Sequence, residues 1–422
     1  MKKINLIARI GLFALILSLG TFSALMVGET KGLALADLSG MPVRAMAAAT
    51  HGDVMYAALS GGQRVAGIYR SEDNGGTWQR VGSGPNAEIN TLAVHPNQQT
   101  VIYAGTAGGP ASATDSLWRS YDGGQTWHKS ILGLPASPEG LLPAVNALVV
   151  DPRQPGVLYV GTDGHGVYRF DGDLNRYGYE LMGGISLYRS HVDGLVVGPD
   201  SRVYALTNAG LFVTTGEGAW QELPTPELMT SLAVASDDPE RLYAGGVSIG
   251  LFRSTDGGQT WEQATRGIEM VPGAALRVTA LAINEDRPRH VVASTAYGLG
   301  SRLAPDAIYE SKDGGFSWTR RANTSDIVTH LTLNQGDILA ATESGIAYHL
   351  EPGAPSSAAA SSRQQSGALT SLFQKQVPFQ RLLSNPNGLQ VLILALTVIL
   401  AGLALVGRVE WVLNRKAQTA QS

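Results

Sequence analysis

The chain contains no cysteine, and charged residues make up only 16% of its 422 residues. The absence of cysteine excludes a disulfide framework, a thiolate metal site and a cysteine nucleophile. The formal net charge is -4, so the sequence has no basic excess that could bind the phosphates of a nucleic acid. Glycine, by contrast, is abundant, with 51 residues, which is typical of many short strands joined by tight turns.

The sequence also lacks the usual signatures of a metal or cofactor site. Its eight histidines show no metal-ligand spacing, and no P-loop, dinucleotide glycine pattern or Ser-His-Asp order stands in the required context. The glycine-rich stretch Gly161–Gly166 is interpreted as a hairpin between two strands. We therefore predict no metal, no cofactor and no catalytic residue.

One motif, Ser-x-Asp-x-Gly-x-Thr-Trp, occurs four times, each time after an apolar-aromatic pair that indicates a β-strand. Its residues are Ser71, Asp73, Gly75, Thr77 and Trp78; Ser120, Asp122, Gly124, Thr126 and Trp127; Ser254, Asp256, Gly258, Thr260 and Trp261; and Ser311, Asp313, Gly315, Ser317 and Trp318. Glycine accepts a positive φ, and an aspartate side chain can accept hydrogen bonds from nearby backbone amides. The motif therefore predicts a hairpin turn whose tryptophan begins the returning strand.

This motif resembles the Asp-box, or bacterial neuraminidase repeat (BNR). Such boxes occur in sialidases, sortilin-type receptors, some xyloglucan-degrading hydrolases and the photosystem II assembly factors. The resemblance implies that each box joins the third and fourth strands of a propeller blade, on the rim away from the ligand face. We therefore interpret the box residues as structural.

Repeats of a common strand pattern extend through the chain with an average period of 48 residues between Ser71 and Ser311. This period is typical of four-stranded propeller blades, for which about 40 to 50 residues are expected. The sequence predicts an all-β fold, a seven-bladed β-propeller over residues 32–353, with degenerate boxes in the third and fourth repeats. The seventh repeat contains only three strands, so we expect Gly32–Leu38 to supply its fourth.

Both ends of the chain are apolar. Residues 1–31 are typical of a signal peptide or an uncleaved signal anchor, and both alternatives stay open. Residues 354–386 form a predicted flexible linker, residues 387–407 a transmembrane helix and residues 408–422 a cytoplasmic tail. Basic residues flank both apolar segments on the same side, which predicts a propeller held at the cell membrane on its extracytoplasmic side.

The catalytic residues of related enzymes have no clear counterparts in the sequence. Met41–Arg44 does not match the Arg-Ile-Pro signature of sialidases. Xyloglucan-type hydrolases place two carboxylates across a cleft between two propellers, whereas the repeats of this chain account for one propeller. The acid pairs Asp237–Asp238 and Glu285–Asp286 follow first strands and are interpreted as turn residues. Four arginines recur after the strand aromatic and are interpreted as cover for the sheets: Arg70, Arg119, Arg169 and Arg253.

Insertions lengthen several connections that we expect on one face of the propeller: Ser60–Gly67, Thr106–Ser116, Leu132–Ala144, Gly267–Ala275 and Ala296–Asp306. Loops of this kind are where such folds bind partners. The sequence therefore favours a non-catalytic scaffold that recognises a protein on this face, with a membrane contact through the C-terminal helix. The alternative is a glycan-binding protein or a sialidase-like glycoside hydrolase.

Overall fold

In a computed structural model of the chain, the described residues are 33–350, apart from gaps at 35–40, 50–52, 61–65, 86, 111–114, 130–133, 172–178, 183–186, 216–218 and 301. The regular secondary structure of this part consists of β-strands alone. None of its elements is a helix long and apolar enough to cross a bilayer. The predicted signal segment, linker, transmembrane helix and tail lie outside the described residues.

The strands pair with their neighbours in antiparallel sheets. The first sheet has the order β1-β5-β4-β3-β2 and the second the order β10-β9-β7-β6. Their strands are β1 (Leu33–Ala34), β2 (Val43–Ala48), β3 (Met55–Leu59), β4 (Gly67–Ser71), β5 (Thr77–Gly82), β6 (Ile89–His95), β7 (Gln98–Thr106), β8 (Gly109–Pro110), β9 (Leu117–Ser120), β10 (His128–Lys129) and β11 (Leu141–Leu142), of which β8 and β11 form a separate two-stranded ribbon.

The next two groups of four strands join into one larger sheet, because the end of β13 also pairs with the start of β16. Their strands are β12 (Val145–Val150), β13 (Val157–His165), β14 (Val167–Asp171), β15 (Tyr179–Leu181), β16 (Tyr188–Val197), β17 (Val203–Thr207), β18 (Gly210–Thr215) and β19 (Ala219–Leu223). The pairing between β13 and β16 brings Asp163 opposite His191.

Three further sheets complete the described part, in the orders β20-β21-β22-β23, β24-β25-β26-β27 and β28-β29-β30. Their strands are β20 (Met229–Ala235), β21 (Asp238–Gly246), β22 (Leu251–Ser254), β23 (Glu262–Gln263), β24 (Ala275–Ile283), β25 (Val291–Leu299), β26 (Arg302–Ser311), β27 (Thr319–Asn323), β28 (Val328–Asn334), β29 (Asp337–Thr342) and β30 (Gly345–Leu350).

The first strand of each group carries a β-bulge, at its second residue in five strands and near the middle in β16 and β24. The residue that falls out of register is Arg44, Asn90, Asn146, Asp193, Thr230, Thr279 or Thr329. A bulge bends its strand and changes the direction of a side chain. These residues hold equivalent positions in the first strands. We call this set the bulge ring.

Successive first strands contact each other, and β28 contacts β2, so the sheets close into a ring. Apolar residues fill the space between neighbouring sheets. Tyr56 and Ile68 of the first sheet pack with Ile102 of the second. Apolar packing also closes the ring, because Val43 and Tyr69 pack in one cluster with Leu339 of the last described sheet. The prediction of an all-β, propeller-like fold is confirmed.

The N-terminal strand differs from the sequence prediction. Leu33 pairs with Trp78, and Ala34 pairs with Thr77, so β1 extends the outer edge of the first sheet. The prediction that this segment completes the seventh repeat is therefore wrong for the two described residues. An apolar pair can hydrogen-bond to any exposed strand edge, and the period of the repeats does not say which edge it joins.

Candidate functional site

The four Asp-boxes share one internal network of hydrogen bonds. In the third box, Ser254 Oγ donates to Asp256 Oδ1 at 2.7 Å and accepts the amide of Gly258 at 2.8 Å. Thr260 donates its amide to Asp256 Oδ1 at 2.9 Å and its hydroxyl to Oδ2 at 2.5 Å. The polar groups of the box thus bond to each other within one turn.

These bonds stabilise the charged form of the box aspartate. Hydrogen bonds from the hydroxyl and amide of Thr260, and then from Ser254, lower the pKa of Asp256 to about 2. In the second box, desolvation acts in the opposite direction, but hydrogen bonds from Thr126 still lower the pKa of Asp122 to about 2. A carboxylate that is held ionised in this way is a poor general acid.

The recurring arginines lie over the aromatic rings of the second strands or pair with nearby acids. The guanidinium of Arg70 lies 6.0 Å from the ring centroid of Tyr56, and that of Arg119 lies 5.3 Å from that of Tyr103. Arg253 lies over Phe316 and pairs with Glu262 at 2.8 Å. These contacts lie in different sheets and do not converge on one site.

The two acid pairs from the sequence lie in turns at the same end of the sheets as the boxes. Asp237 pairs with Arg241, and Asp238 accepts the amide of Glu240 at 3.1 Å. Glu285 and Asp286 line a cavity of about 180 Å³ with residues of β2 and β28. Neither pair lies near the bulge ring, because antiparallel strands place the first turn and the bulge at opposite ends.

The insertions lie at the end that carries the bulge ring. Gly109–Pro110 pairs with Leu141–Leu142, so two separate insertions form the β8–β11 ribbon. The insertion Ala296–Asp306 lengthens β25 and β26, which pair as far as Leu299 and Arg302. The sequence predicted long loops at these places, whereas the structure shows paired strands in them.

A polar cluster occupies this end where β13 meets β16. The imidazole of His191 lies between two carboxylates, with Nδ1 2.8 Å from Asp163 Oδ1 and Nε2 3.2 Å from Asp193 Oδ1. Asn146 Nδ2 lies 3.2 Å from the same Nε2, and Asn90 Nδ2 donates to Asn146 Oδ1 at 3.0 Å. We call these five residues the His191 cluster.

The cluster is open to solvent, with side-chain exposures of 40% for His191 and 56% for each of the two aspartates. Desolvation raises the pKa of the Asp193 carboxyl, the neighbouring His191 opposes this shift, and the Asp163 carboxylate adds to it. Asp193 therefore holds a proton to higher pH than an ordinary aspartate. A carboxyl group with a raised pKa beside a second carboxylate is the arrangement that general acid–base chemistry requires.

The sequence analysis did not predict the His191 cluster. Its members come from four strands, and none belongs to a motif. One signal was present: each residue of the bulge ring is polar and directly follows a valine, isoleucine or methionine, so an alignment of the repeats would have collected the bulge ring. Among the described residues, no three His, Asp or Glu side chains are placed to hold a metal ion.

The comparison with protein families identifies a BNR/Asp-box repeat at residues 252–263. This match coincides with the third box and the end of the strand before it. The box network described above is thus a recognised repeat, and its position in the antiparallel order of strands agrees with the expected link between a third and a fourth strand.

Two curated relatives are xyloglucanases. The chain is 29% identical to a xyloglucanase of Paenibacillus sp. over 227 residues, which are 46% of this chain and 18% of the relative. It is 27% identical to the xyloglucanase Xgh74A of Acetivibrio thermocellus over 217 residues, 46% of this chain and 22% of the relative. The chain thus spans about a fifth of the length of these relatives.

Solved structures support the fold. A structure of YCF48 bound to a D1 peptide matches with a TM-score of 0.52 at 17% identity, covering 74% of this chain and 94% of that one. An ancestral GH74 enzyme matches with a TM-score of 0.52 at 17% identity, covering 75% of this chain and 46% of that one. At this level of identity, these similarities concern the fold alone.

The prediction of a non-catalytic scaffold, and of no enzymatic activity, is corrected by the xyloglucanase relatives. No motif marks the carboxylates of Asp163 and Asp193, which flank His191 where β13 pairs with β16. The findings favour the alternative, a glycan-active protein. The chain thus contains a recognised Asp-box (BNR) repeat, and its sheets resemble those of Asp-box β-propellers.

Proposed function

We propose that this protein hydrolyses xyloglucan or a related polysaccharide at the His191 cluster. The observation that carries the proposal is the pair of carboxylates on opposite sides of one imidazole, at the end of the ring that also carries the inserted strands. The xyloglucanase relatives supply the class of substrate.

The two aspartates are suited to different steps. Asp193, whose pKa is raised, donates its proton to the glycosidic oxygen as the bond between this oxygen and the anomeric carbon breaks. Asp163 takes a proton from the water that attacks the same carbon. The products are a new reducing end and a free hydroxyl, so the reaction consumes one water and leaves the protein with its proton moved from Asp193 to Asp163.

The spacing of the carboxylates indicates the stereochemical course. Because the imidazole ring and two hydrogen bonds separate Asp163 Oδ1 from Asp193 Oδ1, the two cannot adopt the close spacing of about 5 Å found in retaining enzymes. Inverting enzymes separate their carboxyl groups by about 6.5–9.5 Å, which leaves room for a water. We therefore propose an inverting reaction.

The test is a polysaccharide panel with the purified full-length chain. Xyloglucan, mixed-linkage glucan, cellulose and a sialylated oligosaccharide are incubated with the protein, and new reducing ends are measured. We expect release from xyloglucan that is lost in Asp163→Asn and in Asp193→Asn. Release that both variants retain would place the chemistry elsewhere, and no release from any glycan would overturn the proposed activity.

The number of blades and the placement at a membrane belong to the same proposal. The bulge ring and the 48-residue period support seven blades, with the boxes as structural turns. The apolar end segments support a propeller held at the outer side of a membrane, where polysaccharide is found. A protein partner on the inserted strands would be compatible with this placement, and no nucleic acid or cofactor is proposed.

A further inference from the structure

The exposed apolar side chains of the described part are unevenly distributed between the two ends of the ring. Seven of the nine large ones lie at the end that carries the bulge ring: Leu141, Leu181, Leu228, Ile249, Met270, Val271 and Leu303. The other two, Tyr121 and Phe316, belong to boxes at the opposite end. Their ring centroids lie 4.2 Å from the guanidinium of Arg119 and 3.5 Å from that of Arg253, respectively. An end rich in exposed apolar side chains marks a face that binds a ligand or a partner.

Two of these leucines flank the hairpin turn that carries Asp163. In the sheet, β13 and β14 lie between β12 and β15, and their turn is at the end with the bulge ring. Leu141 belongs to β11, which comes just before β12, and Leu181 ends β15. The order of the strands therefore places one exposed leucine on each side of this turn.

The backbone joins Leu141 closely to the His191 cluster. Asp163 donates its amide to the backbone oxygen of Ala144 at 2.9 Å. Ala144 follows Leu141 by three residues, so their Cα atoms are at most about 11 Å apart even in a fully extended chain. Leu141 pairs with Pro110 in the ribbon, and its oxygen accepts the amide of Ser137 at 2.7 Å. The ribbon thus fixes the leucine beside the cluster.

Leu181 packs against the same turn from the other side. It pairs with Tyr168 on β14, and a Cβ on Gly166 would lie 3.4 Å from its Cδ1. The oxygen of Gly166 accepts the amide of Thr162 at 3.1 Å and its hydroxyl at 2.6 Å, which closes the turn around Asp163. Leu141 is 48% exposed and Leu181 41%, so each offers about half of its surface to a ligand.

We propose that Leu141 and Leu181 are two subsites for the polysaccharide, one on each side of the His191 cluster. A sugar ring with equatorial hydroxyl groups presents C–H groups on its two faces. Packing such a face on a leucine removes apolar surface of both from water. The assignment of the cleaved bond to the space between the subsites rests on the proposed function, but binding can be measured without hydrolysis.

A polysaccharide fits this arrangement better than a protein partner does. Stable protein interfaces bury about 1,200–2,000 Å² around a contiguous apolar core. The two leucines are instead separated by a polar turn and by the carboxylate of Asp163. Separate apolar contacts at intervals suit successive sugar rings of one chain, with the polar cluster between them facing the hydroxyl groups and the linkage.

The first experiment measures binding in the absence of turnover. The full-length chain, purified in detergent, carries Asp193→Asn, and its affinity for a xyloglucan oligosaccharide of defined length is measured by calorimetry. We expect Leu141→Ser and Leu181→Ser each to raise Kd about five- to tenfold, the scale for burying half of a leucine side chain, and the two factors to multiply. Leu141→Met keeps the apolar area and should bind like the parent. Phe316→Ser, a matched exposed residue at the opposite end, should leave Kd unchanged.

The second experiment measures reducing-end release from xyloglucan by chains that retain Asp193. Both serine variants should raise KM and leave kcat unchanged, because the leucines contact the bound chain equally before and during the reaction. Light scattering reports the oligomeric state of each variant in the same samples.

The outcomes separate this inference from the proposed function. Binding that both serine variants weaken, without hydrolysis by any form, would sink the proposed function alone. An unchanged Kd in both variants, or no binding by the Asp193→Asn chain, would overturn the subsites. A parent dimer that either serine variant converts to a monomer would also overturn them, because the leucines would then bind a second copy of the chain.

Discussion

Asn74 donates a side-chain hydrogen bond to Asp337 at 2.7 Å, although the two residues are 263 positions apart in the chain. The same amide group contacts the backbone oxygen of Asn334 at 3.3 Å, and Asn334 returns a hydrogen bond to Asn74 Oδ1. These hydrogen bonds thus join the first box to the last described sheet, in addition to the apolar contacts that close the ring.

Asn74 combines this bond with a backbone conformation that most residues avoid. Its φ is 56°, and the equivalent residue of the other boxes is Gly123, Gly257 or Gly314, each with a positive φ. Asn74→Gly keeps the backbone and loses the bonds, so we expect a loss of about 1–2 kcal/mol in the free energy of unfolding. Asn74→Ala should lose about 1–2 kcal/mol more, because alanine is strained at positive φ. Denaturant titrations of both variants measure this, and equal losses would contradict the backbone part of the account.

Two glycines of one link offer a matched test of close packing. A Cβ on Gly267 would lie 2.2 Å from the backbone oxygen of Trp318, whereas a Cβ on Gly273 would meet nothing within 4 Å; both residues have positive φ, +90° and +82°. Gly273→Ala should cost about 1–2 kcal/mol from backbone strain alone. Gly267→Ala should cost about 2–3 kcal/mol more, because the fourth box must move. Similar unfolding midpoints for the two variants would show that the backbone at Gly267 can move away from Trp318 without a loss of stability.

The boxes predict a pH dependence of stability. The folded pKa of Asp256 is about 2, and an unfolded aspartate has a pKa of about 4, so the stabilisation by ionised Asp256 is present above pH 4. It is lost as the pH falls from about 4 to about 2, where the folded carboxylate also takes up a proton. Asp256→Asn should therefore be less stable than the parent at pH 6, and the two should converge towards pH 2. A difference that stays constant over this range would exclude the linkage.

The tryptophans of the boxes are not equivalent. Trp78 Nε1 donates to the oxygen of Gly75 at 3.0 Å, whereas the buried Nε1 of Trp318 has no hydrogen-bond partner within the described part. Both side chains are buried, so replacement by phenylalanine leaves a similar cavity at each. We expect Trp78→Phe to lower the unfolding free energy by about 1 kcal/mol more than Trp318→Phe. Calorimetry of the two variants decides this, and the reverse order would be inconsistent with the hydrogen bond.

The fold was predictable because its signals are local and repeated. A box such as Ser254–Trp261 contains its own turn, its own acceptor and its own donors within eight residues, and its recurrence shows that the chain is built from repeats. The His191 cluster has no such signal, since Asp163 and His191 are 28 residues apart and meet only where β13 extends past β14 to pair with β16. The partner of Leu33 was unpredictable for a related reason, because exposed strand edges differ little in their hydrogen-bonding groups.

The most direct test of the central claim compares two aspartates of the same larger sheet. Asp193 belongs to the His191 cluster, whereas Asp171, on β14, pairs with Arg169 at 3.1 Å and is 63% exposed. Initial rates of reducing-end release from xyloglucan are measured for the parent, Asp193→Asn and Asp171→Asn, after their folding has been checked by circular dichroism. We predict a loss of about 100-fold or more for Asp193→Asn, the scale of a missing general acid, and no change for Asp171→Asn. Equal rates for the two variants would contradict the assignment of the active site to this cluster.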